Sequence, residues 1–333
     1  MRISVMLRRR AMNKKKIFRI IIIAVSSLLL ISMVTMYIVA VSIYSDSFNY
    51  RCDSDEETAF DLGEFPGMKR DRHTFDSDKG QTLVGYIYES TDADMQKKGV
   101  VVFAHGLGAG GQCGYMDIFD ILTDNGYYVF AYDATANDES EGEVVGGLPQ
   151  GFIDLDYAIS YAKTVERLQS LPMVLMGYSW GGLSVTNVLN YHPEVKAVAS
   201  LAGWNESMNL IDYRGVQMVG GVAKLLLPFA SLYEFFKYGQ YAFSTSMDGL
   251  ENSDCGVMIV HSEDDTTIPI SYGYDKYYEE YGDDGRFVFK RYEDRDHDVL
   301  KKTVSGAEGE EKVLDKELIL EVVAFFDKYT VAG

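Results

Sequence analysis

The stretch Met173-Val-Leu-Met-Gly-Tyr-Ser-Trp-Gly-Gly-Leu-Ser-Val185 constrains what this chain can fold into more than any other. Met173 to Met176 read as a short buried strand, and a helix begins as soon as Gly177-Tyr178-Ser179-Trp180-Gly181 has turned the chain. Reversing from strand to helix over so few residues forces the central residue into a strained backbone conformation. Glycine is needed on either side of it, because a Cβ there would strike the neighbouring strand or helix. The consequence is a Ser179 hydroxyl held out at the first turn of a helix, where backbone N–H groups and the helix dipole favour negative charge.

The flanking sequence agrees with that turn. Val100-Val-Val-Phe-Ala104 is a continuous apolar run, as a parallel strand covered on both faces should be. Helical periodicity over Tyr115–Asn125 leads to a strand at Tyr127–Tyr132, then to an amphipathic helix over Phe152–Leu168. After the Ser179 turn, strands follow at Val195–Leu201, Gly256–Val260 and Arg286–Lys290, and a helix over Val313–Tyr329 ends the pattern. Such alternation implies right-handed crossovers and an open, mostly parallel sheet. Upstream, Arg72–Phe75 and Thr82–Glu89 alternate apolar and polar residues around Asp76-Ser-Asp-Lys-Gly80, which predicts an antiparallel hairpin at one edge. Between residues 204 and 252 the strand rhythm stops, and segments such as Leu225-Leu-Leu-Pro-Phe229 and Leu232-Tyr-Glu-Phe-Phe236 suit a small helical cap at the carboxyl ends of the strands.

Charge divides the chain. Residues 1–19 carry eight basic residues and no acid, so the remainder has 23 basic against 50 acidic residues. A folded part this acidic repels phosphate backbones and anionic lipid headgroups, which argues against a nucleic-acid partner. No charge occurs between Arg19 and Asp46, and residues 20–43 at about 1.5 Å each make roughly 36 Å of helix, enough to cross a hydrocarbon core. The basic flank before it and Asp46, Asp53, Asp55, Glu56 and Glu57 after it predict a single-pass cell-membrane anchor, with residues 1–19 inside and the rest outside. A cleaved signal peptide is the other reading, but the apolar run exceeds the roughly 7 to 15 residues of a signal core. Residues 44–70 are acidic and contain Gly63, Pro66 and Gly67, which suits a linker into a domain at 71–333. Cys52, Cys113 and Cys255 match no zinc spacing, and no cofactor or metal is implied.

A serine hydroxyl becomes a nucleophile only when a base takes its proton, a third group holds that base, and donors receive the oxyanion. Of five histidines, His297 alone lies both downstream of the other candidates and in a loop after the last predicted strand. Three acids, Glu263, Asp264 and Asp265, follow an earlier strand, and any of them could meet the imidazole. The oxyanion donors expected are the Trp180 N–H and one from the glycine-rich loop His105–Gly111, which lacks the Lys-Ser/Thr ending of a phosphate-binding loop.

In this order of motifs the chain resembles α/β-hydrolase-fold serine hydrolases, in the branch that groups monoacylglycerol-lipase-like esterases with serine aminopeptidase-like hydrolases. The resemblance covers roughly residues 70 to 330. It implies a mostly parallel sheet flanked by helices with a small helical cap, and a Ser-His-Asp triad. In that branch the strand after the cap ends in a pattern like H-G-x-x-D-x-x-V-P. His261-Ser-Glu-Asp-Asp-Thr-Thr-Ile-Pro269 then assigns the acid to Asp265, with Ser262 in place of the glycine, and the second oxyanion N–H falls on Leu107. The chain departs from its relatives after the second parallel strand. Where they carry R-G-x-G-x-S it has Asp133-Ala-Thr-Ala-Asn-Asp-Glu-Ser-Glu-Gly142, keeping only Ser140 and Gly142. The expected activity is cleavage of a small-molecule acyl substrate, an ester, with lipid and lysolipid esters among the candidates, through an acyl-enzyme. The alternatives are an aminopeptidase-like enzyme, gripping a substrate ammonium with Glu206, Asp212 or Glu234, and an anchored protein that binds without catalysis.

Overall fold

The computed structural model describes residues 2–55, 58–108, 110–306 and 309–331, with side chains from residue 14 onward and without that of Gly306. Glu56, Glu57 and Ala109, and the side chains of Arg2, Arg8, Arg9 and Arg10, lie outside the described residues. In chain order the elements are α1 (Arg2–Ser47), β1 (Met68–Asp76), β2 (Thr82–Ser90), β3 (Gly99–Ala104), α2 (Met116–Asp124), β4 (Tyr127–Tyr132), α3 (Pro149–Ala162), β5 (Met173–Tyr178) and α4 (Trp180–Asn187). They continue with β6 (Ala197–Leu201), α5 (Ser207–Val219), α6 (Ala223–Tyr238), α7 (Ser246–Glu251), β7 (Gly256–Ser262), α8 (Tyr274–Tyr281), β8 (Phe287–Tyr292), β9 (Lys301–Gly306), β10 (Gly309–Leu314) and α9 (Lys316–Thr330).

Eight strands form one sheet in the order β1-β2-β4-β3-β5-β6-β7-β8. The β1–β2 hairpin and the β2–β4 pair are antiparallel, and every pair from β4 to β8 is parallel. The two faces of β3 show why its sequence is apolar throughout. Val100 and Val102 point into the layer shared with α3 and α4, Val101 and Phe103 into the layer shared with α2 and α9, and all four are fully buried. The hydrophobic term thus works on both sides of the same strand.

Three differences from the sequence expectations have local causes. The helix expected over 152–168 starts at Pro149 and ends at Ala162, because Pro149 is well suited to a first turn and residues 163–171 coil into short turns. The final helix starts at Lys316 rather than Val313, because Gly309–Leu314 pairs with Lys301–Gly306 as a separate two-stranded ribbon. Helix α8 was not anticipated, although Tyr274, Tyr277, Tyr278 and Tyr281 repeat at helical spacing, with Tyr277 fully buried.

Helix α1 is long and apolar enough over Lys14–Ser47 to cross a membrane, and nearly every side chain from Lys14 to Val39 is exposed. Ala40 and Tyr44 in its last turns, with Phe48 just beyond its end, are buried on one stripe against α6. The following segment packs over the loops after β3 and β4. Phe48 and Tyr50 accept from the Gly146 and Val145 N–H groups, Cys52 bridges to Asn137, and Ser54 donates its hydroxyl to Asp138 at 2.8 Å.

Candidate active site

Ser179 sits between β5 and α4 with φ 55° and ψ −113°, a region that non-glycine residues seldom enter. Its N–H donates to the Leu201 carbonyl at 2.7 Å, which ties the turn to β6. The steric requirement read from the sequence is met atom by atom. A Cβ on Gly177 would lie 2.2 Å from the Gly181 carbonyl oxygen, and one on Gly181 would lie 1.9 Å from that of Ala104. Trp180 opens α4, so its N–H is among those at a helix start that have no intrahelical acceptor. Its indole donates to the Leu148 carbonyl at 2.8 Å and locks the ring into the core.

His297 follows β8 in the loop that returns over the carboxyl edge of the sheet. Its Nε2 lies 2.7 Å from Ser179 Oγ, and its Nδ1 lies 2.8 Å from Asp265 Oδ2. Asp265 Oδ1 accepts two backbone N–H groups, from Thr267 and Ile268, each at 2.8 Å. Its Oδ2 receives a second imidazole as well, that of His261, whose Nε2 stands 3.1 Å away and also 3.0 Å from the Ile268 carbonyl. Burial alone would raise the Asp265 carboxyl, but hydrogen bonds from His261, His297 and the Ile268 N–H, with the charge of His297, hold it well below the usual carboxylate range. An ionised Asp265 fixes the proton of His297 on Nδ1 and leaves Nε2 as an acceptor for the serine proton.

The two other acids have different partners. Glu263 pairs with Arg291 at the surface, 3.0 Å apart. Asp264 joins the acid loop to the histidine loop, since its Oδ1 accepts the Asp296 N–H at 2.8 Å and the Ser262 hydroxyl at 2.6 Å. Ser262 in turn accepts the Arg295 N–H at 3.0 Å, and Asp296 accepts the Thr266 N–H at 2.9 Å. Three of these bonds run between the two loops and hold them in register, which is what keeps an imidazole within reach of a carboxylate 32 positions earlier. Tyr178 stacks obliquely beside the His297 ring, with centroids 5.6 Å apart.

Leu107 follows β3 in the glycine-rich loop, where Gly108 and Gly110 have φ of 101° and 78°. His105 braces that loop. Its Nδ1 donates to the Gly106 carbonyl at 2.7 Å and its Nε2 accepts the Ala134 N–H at 3.0 Å, so both ring nitrogens are engaged. Burial lowers its pKa, in keeping with a neutral ring. The loop after β4 keeps its shape through Ser140, whose hydroxyl donates to the Asp133 carbonyl at 2.5 Å and accepts the Val84 N–H at 2.8 Å. An arginine does contact this loop, but it comes from the segment after α1. Arg51 donates to the carbonyls of Ser140 at 2.9 Å and Gly142 at 3.0 Å, and to that of Asp138.

The three acids considered for an ammonium grip differ. Glu234 is fully buried and its two oxygens accept the Tyr44 hydroxyl at 2.5 Å and the Ser207 hydroxyl at 2.6 Å, so its carboxylate is already occupied. Glu206 accepts the Asn209 side-chain amide at 2.9 Å at the start of α5. Asp212, further along α5, has one buried carboxylate oxygen without a hydrogen-bond partner among the described residues. Among the described residues no group of His, Cys, Asp and Glu side chains could hold a metal ion.

Comparison with known proteins bears on the fold. Residues 95–234 match the family model described as serine aminopeptidase, S33. No curated protein matches the sequence. Among solved structures, an esterase of Pyrococcus furiosus is similar, with a TM-score of 0.60 and 14% identity over 84% of this chain and 99% of that one. The esterase Est1E of Butyrivibrio proteoclasticus, bound to ferulic acid, has a TM-score of 0.55 and 15% identity over 78% of this chain and 100% of its own. An acylaminoacyl peptidase of Pyrococcus horikoshii has a TM-score of 0.53 and 18% identity, over 71% of this chain but only 39% of that longer one. Identities this low carry the fold and no more. Sheet order and the strained serine turn give this chain the α/β-hydrolase fold, and residues 95–234 are similar to the serine aminopeptidase family.

Proposed function

We propose that this chain is a membrane-anchored esterase that cleaves an acyl ester by a two-step mechanism, with Ser179 as nucleophile, His297 as general base and Asp265 as its orienting carboxylate. One observation carries the reading: the unbroken line from Ser179 Oγ to His297 Nε2 at 2.7 Å and from His297 Nδ1 to Asp265 Oδ2 at 2.8 Å. His297 Nε2 takes the hydroxyl proton as Oγ attacks the acyl carbonyl, and the tetrahedral oxyanion is received by the N–H groups of Trp180 and Leu107. His297 then returns the proton to the leaving alcohol, which departs as the acyl-enzyme forms. Water repeats the sequence and frees the carboxylic acid.

The anchor reading rests on α1, whose apolar stretch follows Lys14, Lys15, Lys16 and Arg19 and precedes Asp46 and Asp53. That order favours residues 1–19 inside and the catalytic domain outside. Apolar side chains on α5 and α6 suit an acyl chain rather than a charged peptide end. The peptidase reading keeps one specific support, the unpartnered Asp212 oxygen on α5, together with the family match. Turnover of p-nitrophenyl esters from acetate to palmitate, set beside aminoacyl p-nitroanilides, tests the proposal. Ester turnover that vanishes in Ser179→Ala supports it; preferential cleavage of the anilides, lost in Asp212→Ala, would replace it with the peptidase.

A further inference from the structure

The contact between the end of α1 and the cap contains a cavity that the catalytic machinery does not use. It measures about 480 Å³ and is walled by Ala40, Ile43 and Tyr44 of α1, Leu210 and Met218 of α5, and Leu227 of α6. That volume falls in the range of small-ligand sites, roughly 300 to 1,000 Å³. Its lining is overwhelmingly apolar, and the one charged side chain on it is Arg214 of α5. Arg214 has no carboxylate within ion-pair distance among the described residues; its one side-chain hydrogen bond is to Gln217 at 3.2 Å. An exposed arginine with no carboxylate beside it, on the wall of a greasy groove, suits an amphiphile with a phosphate head.

The direction of the helices fixes where this groove opens. Tyr44 and Ser45 bond Glu234 and Tyr233, and one turn later the Phe48 carbonyl accepts from Gly146, whose own carbonyl accepts from Lys237 at 2.6 Å. Helices α1 and α6 therefore run parallel. From Glu234 back to Ala223 is eleven residues, so α6 descends roughly 16 Å toward the exposed apolar stretch of α1. That brings the α5–α6 turn level with about Met33 to Met36, and Met36 and Tyr37 are the first half-buried side chains on α1. The turn itself is apolar and uncovered, with Met218 69%, Val222 62% and Leu225 63% exposed. An apolar tip of this kind, level with a membrane-spanning stretch, belongs in the leaflet rather than in water.

We infer that the α5–α6 turn is immersed in the outer leaflet and that the groove between α1 and the cap holds one acyl chain of a bilayer phospholipid, with Arg214 at its phosphate. The inference rests on the anchor reading given above. It also links that site to the chemistry, because the other side of α5 reaches the acid loop, where the Tyr213 hydroxyl donates to the Thr266 carbonyl at 3.1 Å beside Asp265. A lipid seated in the groove therefore lies one helix away from the reacting groups and sets how α5 stands over them.

The full chain reconstituted in phosphatidylcholine nanodiscs that contain a diazirine-tailed phosphatidylcholine provides the test. After irradiation, adducts are mapped by mass spectrometry on the wild type, on Leu226→Trp, which fills the groove, and on Arg214→Glu, which reverses its charge. The expected result is adducts on α1 between Ile20 and Val39, on the immersed α5–α6 turn at residues 218–225, and on the groove-lining residues Leu210, Ile211 and Ala230, with the yield at those three falling at least about fivefold in both variants while α1 and turn labelling persist. Melting temperatures within a few degrees of wild type show that the variants fold. Absence of adducts from the turn would overturn its immersion, and labelling of Leu210, Ile211 and Ala230 that is absent or unchanged by either substitution would overturn the groove, in both cases leaving the anchor standing. Absence of adducts from α1 as well would remove the anchor and the groove together.

Discussion

Replacing Asp265 by asparagine tests the base assignment through geometry that leaves the substituted amide little choice. Oδ1 accepts the N–H groups of Thr267 and Ile268, and those donors cannot accept in return. The amide oxygen of an Asp265→Asn side chain must therefore occupy the Oδ1 position, which turns its NH2 toward His297 Nδ1. Flipping the amide instead would set its NH2 against two backbone donors and leave them unsatisfied, at about 1 to 3 kcal/mol each. His297 must then accept at Nδ1 and carry its proton on Nε2, facing Ser179 Oγ at 2.7 Å as a donor. A base so arranged cannot take the serine proton, and the imidazolium loses its counter-charge. The same substitution in a serine protease triad lowers kcat about 10⁴-fold, equivalent to about 5.4 kcal/mol, and a loss of that order is expected here. The assay is kcat for p-nitrophenyl butyrate, with circular dichroism and melting temperature to show an intact fold. Asp264→Asn, whose oxygen can keep accepting from Asp296 and Ser262, serves as the comparison and should stay within about tenfold of wild type. A folded Asp265→Asn enzyme within tenfold of wild type would refute the reasoning.

Two further outcomes follow from packing and burial. Gly177→Ala should lower stability by about 3 kcal/mol or more, read as a drop in melting temperature, because the added methyl meets a backbone oxygen 2.2 Å away that no side-chain rotation can relieve; an unchanged melting temperature would contradict the fit described for the turn. Burial pushes the Glu234 carboxyl up to about 7 in spite of its bonds from Ser207 and Tyr44. Because the folded state holds this proton more tightly than the unfolded one, the group's contribution is greatest below about pH 4.5 and declines as pH rises to about 7. The decline amounts to about 3 kcal/mol. Urea unfolding of wild type and Glu234→Gln in detergent at pH 5 and pH 8 should show wild type losing stability relative to the variant at the higher pH, and parallel behaviour would refute the sign.

The features legible in the sequence were those with local causes. The serine turn could be read because steric exclusion acts between residues four apart, Gly177 and Gly181, and the parallel strands because burial on both faces leaves a continuous apolar run. The choice among Glu263, Asp264 and Asp265 was not local, since it depends on which carboxylate lies beside His297 once two loops have been bonded together. The place of His261 on the same oxygen of Asp265 was missed. Its only sequence signal was a histidine four residues before an acid at a strand end. The polar strands Lys301–Gly306 and Gly309–Leu314 gave no apolar alternation to read. Nor could sequence show the end of α1 locked to the cap, because Tyr44 and Glu234 stand 190 residues apart and meet only through packing.

Labelling with a fluorophosphonate, followed by peptide mapping, bears most directly on the claim that Ser179 is the nucleophile. The account predicts one covalent adduct on the Ser179 peptide of the wild type, and none in Ser179→Ala at equal protein and probe concentration. An adduct on a different residue, or undiminished labelling of the variant, would contradict it.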